Sequence, residues 1–296
     1  MAYACTLCPR RCGADRETRM GFCGMPRQPH AARAALHFHE EPCLSGTRGS
    51  GAVFFTGCSL GCVYCQNHVI SRGGGGEPLT AEKLREIYFS LIEQGAHNIN
   101  LVTAAHFADT VAQSLGDLPV PVVWNCGGYE SVETLRMLEG KVQIYLPDFK
   151  YMDAGLAGRL SAAPDYPEVA EKAILEMFRQ TGGFRMDEDG MLRSGVLVRH
   201  LVLPGHLDNT FAVIEKMRAL FPREGQALFS LMSQYTPVAD TPRFPELTRR
   251  LTQEEYDAAL DCLFDSGIED GFVQDLSSAE ETYIPPFDGT GVWRTE

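Results

Sequence analysis

Between residues 51 and 274, short apolar runs alternate with longer amphipathic ones, and that rhythm leaves few ways to arrange the chain. Runs rich in Val, Ile, Leu and Phe stand at Ala52–Thr56, Asn98–Thr103, Val120–Asn125, Val142–Leu146, Gly195–Leu203, Ala227–Met232 and Ile268–Gln274. Helical spacing of apolar residues predicts helices over Thr80–Gln94, Ala108–Leu115, Ser131–Leu138, Gly155–Ser161, Tyr166–Thr181, Asn209–Phe221 and Thr252–Ser266. Thr80 offers a side-chain oxygen to cap the first of these, and Leu84, Ile87, Tyr88 and Leu91 share one face. Lys83 stands where a reciprocal capping box wants Glu or Gln, so the box is incomplete, and Gly95 ends the helix. Strands separated by helices pair in parallel, and helical cover on the sheet faces makes their sequences apolar throughout. The expected fold is therefore α/β: a partial, open α/β barrel, with a doubly wound open sheet as the alternative. Both architectures place chemistry at the carboxyl ends of the strands. Polar residues gather there: Asp148 and Lys150, Arg199 and His200, Ser233-Gln234-Tyr235, and a cysteine loop after the first strand.

Residues 1–50 have another texture, with Cys, Pro, Arg and Gly prominent and no evident core, so the chain divides into a cysteine-rich segment 1–50 and a core 51–296. The run Arg72–Pro78 contains four glycines and reads as a mobile loop; without a following Gly-Lys-Ser/Thr it is not a phosphate loop. A net charge of −13 argues against a general nucleic-acid binder, although residues 1–50 carry seven Arg against four acids. Twelve acids against one Arg in residues 251–296 read as a solvated acidic surface. No apolar run approaches the roughly 20 residues that span a bilayer, and MAYACTLCPRRCG has no signal-peptide core. The expectation is a cytoplasmic chain with reduced cysteines and no membrane attachment, in which clustered thiols mean metal binding or catalysis.

Eight of the ten cysteines lie between positions 5 and 65. Cys58, Cys62 and Cys65 are spaced C-x3-C-x2-C, and three thiolates can ligate three irons of a [4Fe–4S] cubane, leaving the fourth iron open. A zinc site would need a fourth ligand, for which His68 is at hand, and three buried free cysteines remain the bland alternative. Cys5, Cys8, Cys12 and Cys23 make a complete set of four, suiting either structural zinc or an auxiliary iron–sulfur cluster, as a second metal site. Cys43 is unassigned and can replace Cys5; Cys126 ends a strand near the presumed mouth; Cys262 belongs to the core.

The loop GCVYCQN, with an aromatic residue before the last cysteine and a strand before the first, resembles the radical S-adenosylmethionine (SAM) superfamily. The segments CTLCPRRCGADR, GFCG, EEPCLSGTRGSG, GAHNINLVTAAHF, YLPDFKY, VRHLVLPG and SLMSQYTP extend the likeness to its pyruvate formate-lyase-activating-enzyme-like group. That resemblance implies a [4Fe–4S] cluster on Cys58, Cys62 and Cys65, SAM on its open iron, and hydrogen abstraction by a 5′-deoxyadenosyl radical. It further implies an electron donor of flavodoxin or ferredoxin type, and a substrate that is a protein glycine, a peptide or a small metabolite. Tyr64 would lie near the adenine, while Asp148, Lys150 and Arg199 would bind the methionyl part of SAM or position substrate. Where such enzymes carry a Gly-Gly-Glu-like segment for the SAM amino group this chain reads NINLVT, so Asn98, Asn100 or Thr103 would serve instead. From the residues alone, Asp148 and Lys150 also fit a structural ion pair, Asn98 and Asn100 strand-end caps, His200 the outer sheet face, and Gln234 and Tyr235 either pocket or core. Two rivals stand beside this reading. Gly57-Cys58-Ser59-Leu60-Gly61 matches a hydrolase nucleophile elbow, with Asp148 and His200 in order behind it; the other rival is a non-catalytic metal-binding module.

Overall fold

The computed structural model describes residues 4–72, 74–237, 243–276 and 284–292; Gly73 of the glycine run and part of the acidic C-terminal stretch lie outside them. In chain order the elements are β1 (His30–His37), α1 (Pro42–Ser45), β2 (Ser50–Phe55), α2 (His68–Ser71), β3 (Glu77–Pro78), α3 (Ala81–Glu93), β4 (Ile99–Val102), α4 (Ala108–Ser114), β5 (Val122–Cys126) and α5 (Val132–Met137). They continue as β6 (Ile144–Pro147), α6 (Ala154–Ser161), α7 (Tyr166–Thr181), β7 (Arg185–Met186), β8 (Leu192–Leu201), α8 (Leu207–Leu220), β9 (Leu228–Met232), α9 (Gln253–Ser266) and β10 (Gly271–Val273). Each strand and helix expected from the periodicity is present. Thr80 accepts from the Lys83 amide, giving half of a capping box, whereas Thr252 and Glu255 complete one on α9.

Hydrogen bonding orders the sheet β10-β9-β8-β6-β5-β4-β2-β1-β3. Along that order from β2 to β10 every pairing is parallel; β1 pairs antiparallel with β2 and with β3, and β7, off this path, pairs antiparallel with β8. The two outer strands, β10 and β3, do not pair with each other, so the barrel is open. Among the described residues no helix is long and apolar enough to cross a membrane.

The strand β1 was not legible. HAARAALH is rich in good helix formers, yet it is extended because it pairs with β2, Ala34 opposite Val53 and Ala35 opposite Ala52. The glycine run likewise leads into a strand, with His30 opposite Pro78.

Period-two alternation sorts the parallel strands into two faces. Val53, Phe55, Leu101, Trp124, Tyr145, Val196, Val198, Phe229 and Leu231 face the helices and form the main core. Val123, Ile144, Leu146, Leu197 and Leu228 face the lumen, where Cys43 and Leu44 of α1 plug its lower end. Burial of a side chain such as Leu44, which is fully shielded, contributes about 1.5–3 kcal/mol. Farther toward the carboxyl ends the inner face turns polar at Asn125, Asp148, Arg199 and Ser230, while Asn100 lies level with Val123. An apolar plug beneath a polar tier makes a floor on which chemistry can be arranged.

Candidate active site

Chain leaves β2 at Gly57, whose φ of +84° and whose closeness to the Cys23 carbonyl exclude a side chain: an added Cβ would meet that oxygen at 2.7 Å. The loop that follows brings Cys58, Cys62 and Cys65 onto the wall of a cavity of about 490 Å³, a volume within the usual range for small-molecule sites. Leu60 N–H donates to Cys58 Sγ (3.3 Å), and Ser161 Oγ–H donates to Cys62 Sγ (2.9 Å). Burial pushes the Cys58 thiol up to about 12, and the neighbouring Cys62 and Cys65 add to the shift. Burial also raises Cys65, as does Cys62, against the opposing pull of the Ser71 hydroxyl and Lys150. Thiols raised by burial and by neighbouring sulfur, as Cys58 and Cys65 are, suit a cationic iron centre, which offsets both effects. Among the described residues no three His, Cys, Asp or Glu side chains converge on a point where a single metal ion would sit. A cubane asks for something else, each thiolate standing on its own iron.

Asp148, Lys150 and Arg199 meet in the polar tier above the plug. Lys150 Nζ lies 2.6 Å from Asp148 Oδ2, and Arg199 Nε donates to Asp148 Oδ1 at 3.1 Å. Arg199 Nη1 donates to Glu40 Oε2 (3.1 Å) and Nη2 to Asn125 Oδ1 (2.7 Å). Glu40 Oε1 in turn accepts from Asn100 Nδ2 (3.0 Å) and Asn125 Nδ2 (3.1 Å). Burial alone would push the Asp148 carboxyl up, but Lys150 and Arg199 hold it below the usual range. Burial pulls the Lys150 ammonium down, and Asp148, helped by Cys62 and Cys65, more than reverses this. The result is a line of alternating charge running from the cysteine loop to the floor: Lys150, Asp148, Arg199, Glu40. Protein groups on three sides hold the Arg199 fork, which fixes Asp148 and Glu40.

Thr103 and Tyr64 line the same cavity. Thr103 has φ +62°, a costly conformation for a β-branched residue and one typical of functional sites. The Tyr64 hydroxyl accepts from Tyr151 (2.7 Å) within a cluster of tyrosine rings. Asn98 lies elsewhere, low in the lumen, donating to the Leu44 carbonyl (2.8 Å) and accepting from Ser50 Oγ (2.6 Å). Asn100 does not line the cavity; it holds Glu40. Gln234 lines the cavity, whereas the buried Tyr235 donates to the Leu247 carbonyl. Cys126 and Glu130 stand on the cavity wall, where burial pushes the Glu130 carboxyl up to about 7. Glu40, Glu41, Asn125 and Glu130 escaped the sequence reading. The one available signal was a Glu-Glu pair in an otherwise Arg-rich segment.

The serine-hydrolase rival fails on geometry. His200 faces the outer side of β8, with Nδ1 2.7 Å from the Phe149 carbonyl and Nε2 3.0 Å from Thr210 Oγ1, and so cannot serve Ser59. Burial lowers His200 from 6.5 to about 4. A folded-state value below the unfolded one means stability that is complete above pH 6.5 and is lost as pH falls toward 4. Replacing His200 with Gln is expected to flatten the pH dependence of unfolding free energy in that window by about 1.4 kcal/mol per pH unit. Urea unfolding of both proteins at pH 7 and pH 5 measures the difference, which cancels the opposite contribution of the raised Glu130 carboxyl.

Cys5, Cys8, Cys12 and Cys23 lie in one small module packed on the Cys58–Cys65 loop. Cys5 and Ala14 share a main-chain hydrogen bond (3.1 Å), and Cys58 N–H donates to the Cys23 carbonyl (3.3 Å). Burial pushes Cys8 up to about 12, with Cys23 and Cys5 contributing, so these thiols feel one another. Arg10 carries the contact between module and loop. Its Nε donates to the Ser59 carbonyl (2.8 Å) and its Nη2 to that of Ser161 (2.9 Å), Nη1 reaches Ala162, and the guanidinium stacks over Phe22 at 4.2 Å. Lysine cannot span these carbonyls. Arg10→Lys should therefore speed amide exchange at residues 58–62 by roughly tenfold or more in the metal-free protein, while exchange in α3 stays as it was. Equal exchange in both proteins would rule out the clamp.

No protein-family model matches the chain. Among solved structures it is similar to a domain of pyruvate-formate lyase-activating enzyme from Bacteroides vulgatus, at 16% identity over 66% of this chain and 91% of that one, with a TM-score of 0.38. It is also similar to a radical SAM methyltransferase from Sphaerobacter thermophilus, at 16% identity over 90% and 81%, TM-score 0.48. Among curated proteins, the uncharacterized protein MJ0674 of Methanocaldococcus jannaschii is 31% identical over 269 residues, 87% of this chain and 73% of that protein. On that extent and identity, the chain belongs to the same protein family as MJ0674.

Proposed function

We propose that this chain is a radical SAM enzyme acting by hydrogen abstraction. What carries the reading is the meeting of the C-x3-C-x2-C thiols with Lys150, Asp148 and Thr103 on one cavity at the carboxyl ends of parallel strands. Cys58, Cys62 and Cys65 would hold a [4Fe–4S] cluster, with SAM bound beside it. When bound, these groups supply one-electron cleavage of SAM to methionine and a 5′-deoxyadenosyl radical. The chain's own residues provide the setting. Lys150 places positive charge against the cysteines, and Tyr64 and Thr103 form the adjoining wall. Rigid strands and the Cys43–Leu44 plug close the lumen below, keeping water from a reactive carbon centre.

The finer parts of the proposal follow from the sequence resemblance. An electron donor of flavodoxin or ferredoxin type would act in the cytoplasm. Activation of a glycyl-radical enzyme is one member of the reaction class. The Cys5, Cys8, Cys12 and Cys23 module, the second metal site of the sequence reading, would carry an auxiliary cluster rather than a single zinc, since no three of its thiols converge on one point. Protein purified without oxygen should be brown, bleach with dithionite, and release 5′-deoxyadenosine and methionine from SAM. Colourless protein holding zinc alone would sink the proposal. Deuterium transfer from candidate substrates into 5′-deoxyadenosine then identifies what is abstracted.

A further inference from the structure

The lumen floor carries polar atoms for which the ion network has no use. Glu41, 7% exposed, lines the cavity, and its Oε2 is buried with no hydrogen-bond partner. Ser230 Oγ, on the inner face of β9 and also lining the cavity, is buried and unpartnered as well. Burial pushes the Glu41 carboxyl up and Glu40 adds to the shift, while Arg199 and the nearby Ser230 hydroxyl pull against it without reversing it. Arg199 attracts Glu41 too, but its hydrogen bonds go to Asp148, Glu40 and Asn125. A buried acceptor left open costs about 1–3 kcal/mol, so such a group persists where a ligand completes it.

The chemistry of that ligand follows from the surroundings. A carboxylate is excluded, because it would meet Glu41 and Glu40 with the Arg199 fork already taken. A neutral donor brings no charge to oppose the burial and the Glu40 carboxylate that push Glu41 up. A primary ammonium brings opposite charge and three N–H donors, enough for Glu41 and Ser230 together. Position separates this ligand from the cofactor end: along the line of charge, Lys150 faces the cysteines, and Glu41 lies past Arg199 beside Glu40. We infer that Glu41, assisted by Ser230, seats a primary ammonium group of the substrate, so that the substrate is an amine. Calling that ligand the substrate rests on the radical SAM reading; the amine site itself does not.

The test titrates the full-length, anaerobically reconstituted protein with n-butylammonium, using n-butanol and butyrate as controls, and follows binding by ligand-observed NMR. Saturable binding of butylammonium is expected, with none for the two controls. Glu41→Gln should weaken it at least tenfold in protein that stays folded, and Ser230→Ala should weaken it less. Saturating SAM should leave the butylammonium affinity unchanged. Equal binding of butanol, or undiminished binding to Glu41→Gln, would overturn the inference. So would displacement by SAM, since the carboxyl would then serve the amino group of SAM. Should Glu41→Gln not fold, discrimination between butylammonium and butanol by the parent protein decides alone. Butylammonium binding that passes these tests in protein that never cleaves SAM would uphold the amine site and reject the radical reading.

Discussion

Changing Cys58, Cys62 or Cys65 to Ala is expected to abolish 5′-deoxyadenosine formation to the level of a protein-free blank. It should also remove the cluster's share of iron and of visible absorbance. The reason is stoichiometric: each thiolate of a three-cysteine cubane holds a different iron, so no remaining ligand covers the loss. The hydroxyls nearest these sulfurs, Ser59 on the loop and Ser161 on α6, bind iron poorly in place of thiolate. Cys262→Ala is the matching control. Cys262 lies on α9, does not line the cavity, and should leave both readouts intact. Product formation by any one of the three loop variants would remove the cluster assignment.

Substituting Arg199 should have the largest effect on stability. Its guanidinium is the shared partner of Glu40 and Asp148, and all three side chains are at most 17% exposed. Breaking a buried pair strands an uncompensated charge, at a cost of about 3–5 kcal/mol, which is a large part of the 5–15 kcal/mol that holds a typical domain folded. Arg199→Leu is therefore expected to lower the urea midpoint sharply, or to prevent soluble expression. Arg199→Lys should fall between, because an ammonium cannot reach Asp148, Glu40 and Asn125 at once. Adding Glu40→Gln to Arg199→Leu should recover part of the loss, with a coupling of about 0.5–3 kcal/mol in the double-mutant cycle. A loss below about 1 kcal/mol for Arg199→Leu would show the network to be surface-like in strength, and would reject its role as the frame of the floor.

The sequence was most legible where signals are local. Helix α3 was readable from a cap, an apolar stripe and a terminal Gly95, all within sixteen residues of chain. The cysteine loop was readable because its three cysteines span eight residues. His200 and Arg199 are adjacent, and alternation alone put them on opposite faces, but only the register of β8 against β9 decided which one faces the lumen. Strand β1 was missed because its composition favours a helix and its partner strand overrides that preference. The same segment then delivers Pro42–Ser45 as a plug and Glu40 and Glu41 as a floor, roles invisible in a stretch that looks irregular.

By itself the sequence determined the parallel α/β architecture and the grouping of three cysteines in the Cys58–Cys65 loop, because hydrophobic period and cysteine spacing act over a few residues. Only the tertiary structure decided which charges meet. Glu40 and Arg199 are separated by 159 residues, and Asn125 reaches Glu40 across 85. No local pattern encodes such pairs. They form because an open barrel turns one face of each strand inward and an N-terminal arm closes the space from below, where burial makes every polar group find a partner or wait for one.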